Sequence, residues 1–292
     1  MSQSTATSGT EATTTDAEES VSETSAADET QAEMDSTDLL TLDAPQYLQI
    51  SGEVQLFERI FAAAGTVTDK TRVGIAESGI VIRAADENGH AMVDLRVSGS
   101  SFSTFDAGTG TLGVDVGRVR DALSIGDTSD LAQFTLDAAN STLEITIDGI
   151  TCTIGIDPVE SLRYPVEMPD IDIPATVHLS PDDISLGLDA ADMLDDRFDL
   201  SVDPESGEMQ FAADGDTDSM TYRREDTDLI AFEPADVEVK LDSSLVKSAN
   251  AGLPDGTNRV LRIGNEVPLV LKSEFPDADG AMQFVIAPKL SN

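Results

Sequence analysis

Residues 157–174 read DPVESLRYPVEMPDIDIP, and the fold turns on what this stretch joins. Pro158, Pro165, Pro169 and Pro174 stiffen it, and it contains no glycine, so it is not a flexible Gly/Ser coil. Leu162, Tyr164, Val166 and Met168 also give it apolar side chains that a plain spacer does not need. Strand-forming sequence lies on both sides. Upstream, RVGIAESGIVIRAAD (72–86), AMVDLRV (91–97) and LAQFTLDAANSTLEITIDGITCTIGI (131–156) alternate apolar and polar residues between tight turns. Downstream, RVLRIGNEVPLVLKSEF (259–275) repeats the pattern.

Helical spacing is confined to four short segments. Val54, Phe57, Ile60, Phe61 and Ala64 form one apolar face, ended by Gly65; Val116, Val119, Ala122 and Leu123 form a second behind a capping Asp115. Ser180 and Pro181 suit the N-cap and first turn of a third helix over 182–194, with Ile184, Leu188 and Ala191 on one face. Asp242 caps a fourth carrying Leu245, Val246 and Ala249. The order helix, strands, helix, strands therefore occurs twice. Overlaying Arg72 on Phe198, Ala84-Ala85-Asp86 on Ala212-Ala213-Asp214, and Asp115 on Asp242 gives a nearly constant offset, the signature of a duplicated unit of roughly 110–120 residues. The proline-rich stretch sits at the seam. The expected fold class is α+β: two β-rich halves at 47–156 and 175–292, each with two short helices, joined by a connector at 157–174.

Residues 1–46 are Ser, Thr, Ala, Asp and Glu without Lys, Arg or His, and are expected to form a disordered acidic tail. Acid runs through the rest as well: 56 Asp+Glu against 17 Lys+Arg give a net charge of −39. Spread over the whole chain, this fits a cytoplasm near molar salt, where the Debye length falls to about 3 Å and acidic surfaces stop repelling. Net charge then says little about partners. No apolar run approaches the ~18 residues of a membrane-spanning helix. MSQSTATSGTEATTTDAEES has neither a basic n-region nor an apolar h-region, so a soluble, cytoplasmic protein is expected.

Chemistry-bearing patterns are sparse. Cys152 is the single cysteine, flanked by threonines, and the two histidines, His90 and His178, are remote from it in sequence. No nucleophile elbow, phosphate loop or metal-ligand cluster is present, so no catalysis, cofactor or metal is expected. DGDTDSMTYRRE (214–225) places acids at calcium-loop spacing but has Ser219 where glycine is required, and reads better as an edge strand. Asn140-Ser-Thr reads as a hairpin turn.

The duplicated halves and long extended connector resemble the sliding clamps of archaea and eukaryotes, the proliferating cell nuclear antigen (PCNA) family. The resemblance rests on IRAADENGHAMVDLRV (82–97), IDPVESLRYP (156–165), EVPLVLKSEF (266–275) and VIAPKL (285–290), in the family's order over residues 47–290. It implies a homotrimeric ring that encircles duplex DNA without reading its sequence, helices lining the channel and sheets outside. It also implies a processivity factor that tethers a DNA polymerase, a clamp loader and other replication and repair proteins through short peptide motifs. The peptide-binding surface would comprise Gly89, His90, Met92, Leu162, Tyr164, Pro165, Pro268, Val285, Ala287, Pro288 and Lys289. Arg59, Arg118, Arg120 and Lys247 would face DNA. Subunits would join through Ile150, Thr151, Thr153 and Ile154 on one edge and Met220, Thr221, Tyr222 and Arg223 on the next. Two other readings stay open: a divergent clamp paralogue acting in a heteromeric ring or as a regulator, and a halophilic β-rich binding protein with no DNA role.

Overall fold

The computed structural model describes residues 36–168 and 171–289. After a short helix, α1 (Ser36–Leu39), the first half runs β1 (Leu48–Glu53), α2 (Val54–Gly65), β2 (Lys70–Ala76), β3 (Gly79–Ala85), β4 (Ala91–Ser98), β5 (Thr104–Ala107), β6 (Gly110–Asp115), α3 (Val116–Leu123), β7 (Leu131–Asp137), β8 (Thr142–Ile147) and β9 (Ile150–Gly155). The second half repeats that order. It consists of β10 (Ala175–Leu179), α4 (Pro181–Ala191), β11 (Arg197–Asp203), β12 (Glu208–Asp214), β13 (Ser219–Glu225), β14 (Ala231–Glu233), β15 (Val237–Asp242), α5 (Ser243–Gly252), β16 (Arg259–Ile263), β17 (Leu269–Glu274) and β18 (Gly280–Ile286).

The local signals for the helices hold. The Asp115 carboxylate accepts from the Arg118 N–H at 3.0 Å, Ser180 Oγ accepts from the Asp183 N–H, and Asp242 accepts from the N–H groups of Ser244 and Leu245. Pro181 occupies the first turn of α4, where its missing N–H costs nothing. Each helix lays its apolar face on a sheet. Phe57 and Phe61 of α2 meet Phe134 of β7, with Phe57 at 4.3 Å between ring centroids. Gly187 lets α4 lie on the Phe211 ring, since a Cβ there would come within 2.9 Å of it.

Three antiparallel sheets result: β5-β1-β7-β8-β9, β13-β12-β11-β15, and a nine-stranded sheet ordered β14-β10-β16-β17-β18-β4-β3-β2-β6. The last is built from both halves, fused where β18 pairs with β4. Cross-strand partners also correct the overlay of the repeats by one residue. Val73 faces Leu112 and Ile82, and Leu200 faces Val239 and Phe211, so Val73 matches Leu200 and Ala84 matches Ala213 rather than Ala212. A one-residue slip would have put the wrong side chains on the core face.

The tail expected at 1–46 needs a second correction. Residues 1–35 lie outside the described residues, but 36–46 are folded onto the body: Leu39, Leu40 and Pro45 are buried there. Low overall hydrophobicity concealed one compact apolar anchor.

Candidate functional site

The connector is held at both ends and in the middle. The Asp157 N–H donates to Gly113 O at 2.9 Å, and Lys70 Nζ lies 3.0 Å from the Asp157 carboxylate. Leu162 then lies against Gly113, and Pro165 is buried. Val166, Met168 and Ile171 pack, with Ile173, on a small apolar cluster of Ala85, Met92, Val270 and Val285. Met92 and Val285 are direct cross-strand partners, 9% and 6% exposed, so their role here is to seat the connector rather than to offer an open surface. Tyr164 does the opposite, standing 66% exposed.

The other expected peptide-binding residues gather around this line. Asp86 closes the turn that carries Gly89 and His90: its carboxylate accepts from the Ala91 N–H at 2.8 Å, and Gly89 takes φ +72°. His90 is exposed, and its carbonyl accepts from the Ala287 N–H at 2.8 Å, which draws the C-terminal stretch beside the turn. Arg163 donates to Asp86 O, bridging connector and turn. Pro268, Ala287, Pro288 and Lys289 are all half-buried. Lys289 Nζ is engaged by Asp242 at 3.1 Å, and its N–H donates to Lys240 O. Burial opposes the Asp242 charge, but hydrogen bonds from Ser244 and Lys289 outweigh it and hold the carboxyl below its ordinary value.

The four expected DNA-facing cations lie on helices, but they are not equivalent. Arg59 (α2) and Arg120 (α3) line one cleft of about 650 Å3 together with Glu58, Asp121 and Asp255. Arg59 also lies 3.6 Å from Asp277. Lys247 (α5) lines a neighbouring cleft and is held between Asp192 at 2.7 Å and Asp189 at 3.1 Å. Among the described residues, Arg118 and Arg120 have no ion-pair partner and are exposed.

The expected subunit residues fall on two sheet edges. Ile150, Thr151, Thr153 and Ile154 belong to β9, the last strand of the five-stranded sheet. Ile150 is 52% exposed and Ile154 buried. Met220, Thr221, Tyr222 and Arg223 belong to β13, the last strand of the four-stranded sheet. The alternation read over 214–225 is thus an edge strand. Its inner face carries a polar knot: Asp183 of α4 accepts from Tyr222 Oη at 3.0 Å and from Arg224 Nε at 2.7 Å. Burial works against the Asp183 charge, yet bonds from Ser180, Arg224 and Tyr222 leave its pKa lowered. Burial first, and then Asp183, push the Tyr222 phenol up to about 12.

Sequence reasoning missed Arg72, which is 8% exposed and joins two chain segments. Its Nη1 donates to Leu40 O, and its Nε and Nη2 donate to Arg163 O and Leu162 O. The available signal was the glycine spacing of RVG (72–74) and GTLG (110–113), which marks strands that another backbone approaches closely.

No family model matches the chain. It is 29% identical over 230 residues to the DNA polymerase sliding clamp of Natronomonas pharaonis, covering 79% of this chain and 93% of that protein. Likeness to the clamp of Haloarcula marismortui is 28% over 230 residues, with the same coverage. Among solved structures, the A. fulgidus PCNA with the C-terminal region of FEN-1 bound superposes with a TM-score of 0.79 at 21% identity, over 84% of this chain and 99% of that one. A PCNA2–PCNA3 complex from Sulfolobus tokodaii gives 0.71 at 18% identity, over 82% and 99%. With its duplicated halves, fused central sheet and strapped-down connector, the chain belongs to the PCNA family of sliding clamps.

Proposed function

We propose that this chain works as the sliding clamp of a DNA polymerase, closing with two further copies into a ring around duplex DNA. It is a processivity factor and not an enzyme. A closed ring needs little affinity for DNA, because it can leave only at an end or by opening. Its partners gain local concentration by being tethered to it.

One observation carries the ring: β18 and β4, which pair inside the chain, are the repeat counterparts of β9 and β13, which pair with nothing on their outer sides. A second copy set head to tail would continue the sheet by the same contact, and repetition would close it. The internal seam supplies the register. Cys152 occupies the place of Phe284, and Met220 that of Val93, through their partners on neighbouring strands. Since Phe284 faces Val93 and Met282 faces Leu95, Cys152 would face Met220 and Ile150 would face Tyr222. Thr151 would then face Thr221 on the outer surface. Exposed Ile125 and Met193 find a reason in the same way. They take the places of Gly252 and Thr66, which touch across the internal seam.

Peptide segments of partners would dock along Tyr164 and Pro288, flanked by His90 and Lys289. Phosphate contacts would come chiefly from Arg118 and Arg120, given the engagement of Lys247 and Arg59 by aspartates. That thin positive charge favours a second reading, a paralogue that enters a heteromeric ring. Trimer mass in molar salt, together with stimulation of a polymerase on primed circular DNA, tests the choice. A monomer at every salt concentration defeats the ring, and a ring without stimulation favours the paralogue. The chain's place in the cell rests on the clamp's role; among the described residues no helix is long and apolar enough to cross a membrane.

A further inference from the structure

Arg72, Gly74, Thr111 and Gly113 form a block on two adjacent strands: Arg72 pairs with Gly113, and Gly74 with Thr111. All four residues serve the chain lying on top of them. A Cβ on Gly74 would come within about 3 Å of Leu39 and Leu40, and one on Gly113 within 2.8 Å of Leu162. Thr111 Oγ1 donates to Leu39 O at 2.5 Å, and the Thr111 N–H to Asp43 O at 3.0 Å. A Cβ on neighbouring Gly110 would strike Asp43 O and Pro45. Beyond the block, Arg83, in a buried pair with Asp94 at 2.8 Å, donates to Thr37 Oγ1.

The repeat provides an internal control. The same four places in the second half hold Asp199, Ser201, Glu238 and Lys240, none of them buried, with Lys240 reaching Asp199 at 3.3 Å. Ordinary surface chemistry therefore suffices for the fold at these positions. The Arg-Gly-Thr-Gly set exists for what covers it.

That cover has two parts, and Arg72 is common to both. Its guanidinium donates at 2.9 Å to Leu40 O on one side, and at 3.0 and 3.1 Å to Arg163 O and Leu162 O on the other. It also lies 5.6 Å from the centre of the Tyr164 ring. A buried guanidinium needs all its acceptors, so removing Leu40 O frees the charge to seek water and loosens its hold on the connector. We propose that residues 37–45 are a strap that, through Arg72, fixes the Leu162–Tyr164 stretch and so raises the affinity of this surface for partner peptides. Arg72 is a positioning residue in this scheme, acting through the connector by pre-organising it. The affinity part rests on the peptide-docking reading given above.

The test uses the full chain in molar salt. Leu39→Asp/Leu40→Asp detaches the strap while leaving Arg72 and the sheet intact, and Arg72→Met removes the link itself. Amide hydrogen exchange over Ser161–Tyr164 is expected to speed up roughly tenfold or more in both. Binding of a synthetic peptide bearing two aromatics and an aliphatic should weaken by about fivefold or more. Unchanged exchange overturns the strap. Faster exchange with unchanged peptide affinity overturns its role in binding. Faster exchange in a protein whose wild type binds no such peptide defeats the docking reading while keeping the strap's hold on the connector.

Discussion

Phe284 of β18 stands directly opposite Val93 of β4, both fully buried, at the point where the two halves of the chain fuse into one sheet. Through the repeat, this pair is a template for Cys152 opposite Met220 between subunits. Burial inside one chain and exposure at its edges are then the same contact, satisfied once internally and left open at the ends.

The register makes a covalent prediction. In a Cys152→Ser background, Thr151→Cys with Thr221→Cys should yield disulfide-linked trimers on oxidation, since opposed strand residues have Cα atoms about 4.5–5.5 Å apart. Thr153→Cys with Thr221→Cys, displaced along the strand, should link poorly. Denaturing gels with and without reductant read the result, and equal linking by both pairs would refute the register.

Charge on the inner edge should open the ring. Ile150→Glu would set an uncompensated carboxylate against Tyr222 and weaken assembly by roughly 100-fold or more. Sedimentation in molar salt measures it. A trimer that tolerates this change means that β9 is not the joining edge.

Partner binding should separate from assembly. Tyr164 is largely exposed and contributes little packing, so Tyr164→Ala with Pro288→Ala should abolish binding of an aromatic-bearing peptide and leave the trimer mass unchanged. Unaltered peptide affinity would exclude this surface.

The helix cations should differ in what they contribute. For binding to linear duplex, Arg118→Ala with Arg120→Ala should flatten the dependence of log affinity on log salt by roughly two units, about one per lost phosphate contact. Lys247→Ala should change the slope little, because Asp189 and Asp192 already engage that ammonium. A large effect of Lys247 alone would show that DNA displaces those aspartates.

Two pH dependences follow from the knot on β13. The lowered Asp183 pKa means that its contribution to stability is full above the ordinary carboxylate range and lost as pH falls through the folded-state value. Tyr222 has the opposite sign: its raised pKa contributes below about pH 10 and is lost as pH rises toward 12. The phenolate difference spectrum of wild type against Tyr222→Phe should show a step near pH 12 that moves down in Asp183→Asn. A step that stays in place removes Asp183 from the cause.

Much of this architecture was legible in local pattern. Asp115, Ser180 and Asp242 announced three helix starts because a cap is made within a few residues of itself. Alternation in ITCTIGI and DSMTYRR marked strands, and the duplication marked the connector as the seam. The gathering of Tyr164, His90 and Pro288 followed from family resemblance, and the backbone bond from Ala287 to His90 is what brings the C-terminal stretch to the turn.

The sequence by itself determined the elements, their order and their duplication, since caps and periodicity act over a few residues. Tertiary structure alone decided which partners those elements meet. Leu39 and Leu40 look like incidental apolar residues in an acidic tail until Gly74 is seen beneath them. Arg72 looks like one more surface cation until Leu40, Leu162 and Arg163 turn their carbonyls toward it. Lys247 reads as a phosphate contact until two aspartates of the neighbouring helix segment enclose it. Each depends on residues dozens of positions away. No periodicity records such a contact, because it is the packing of one element on another, not the preference of either, that fixes it.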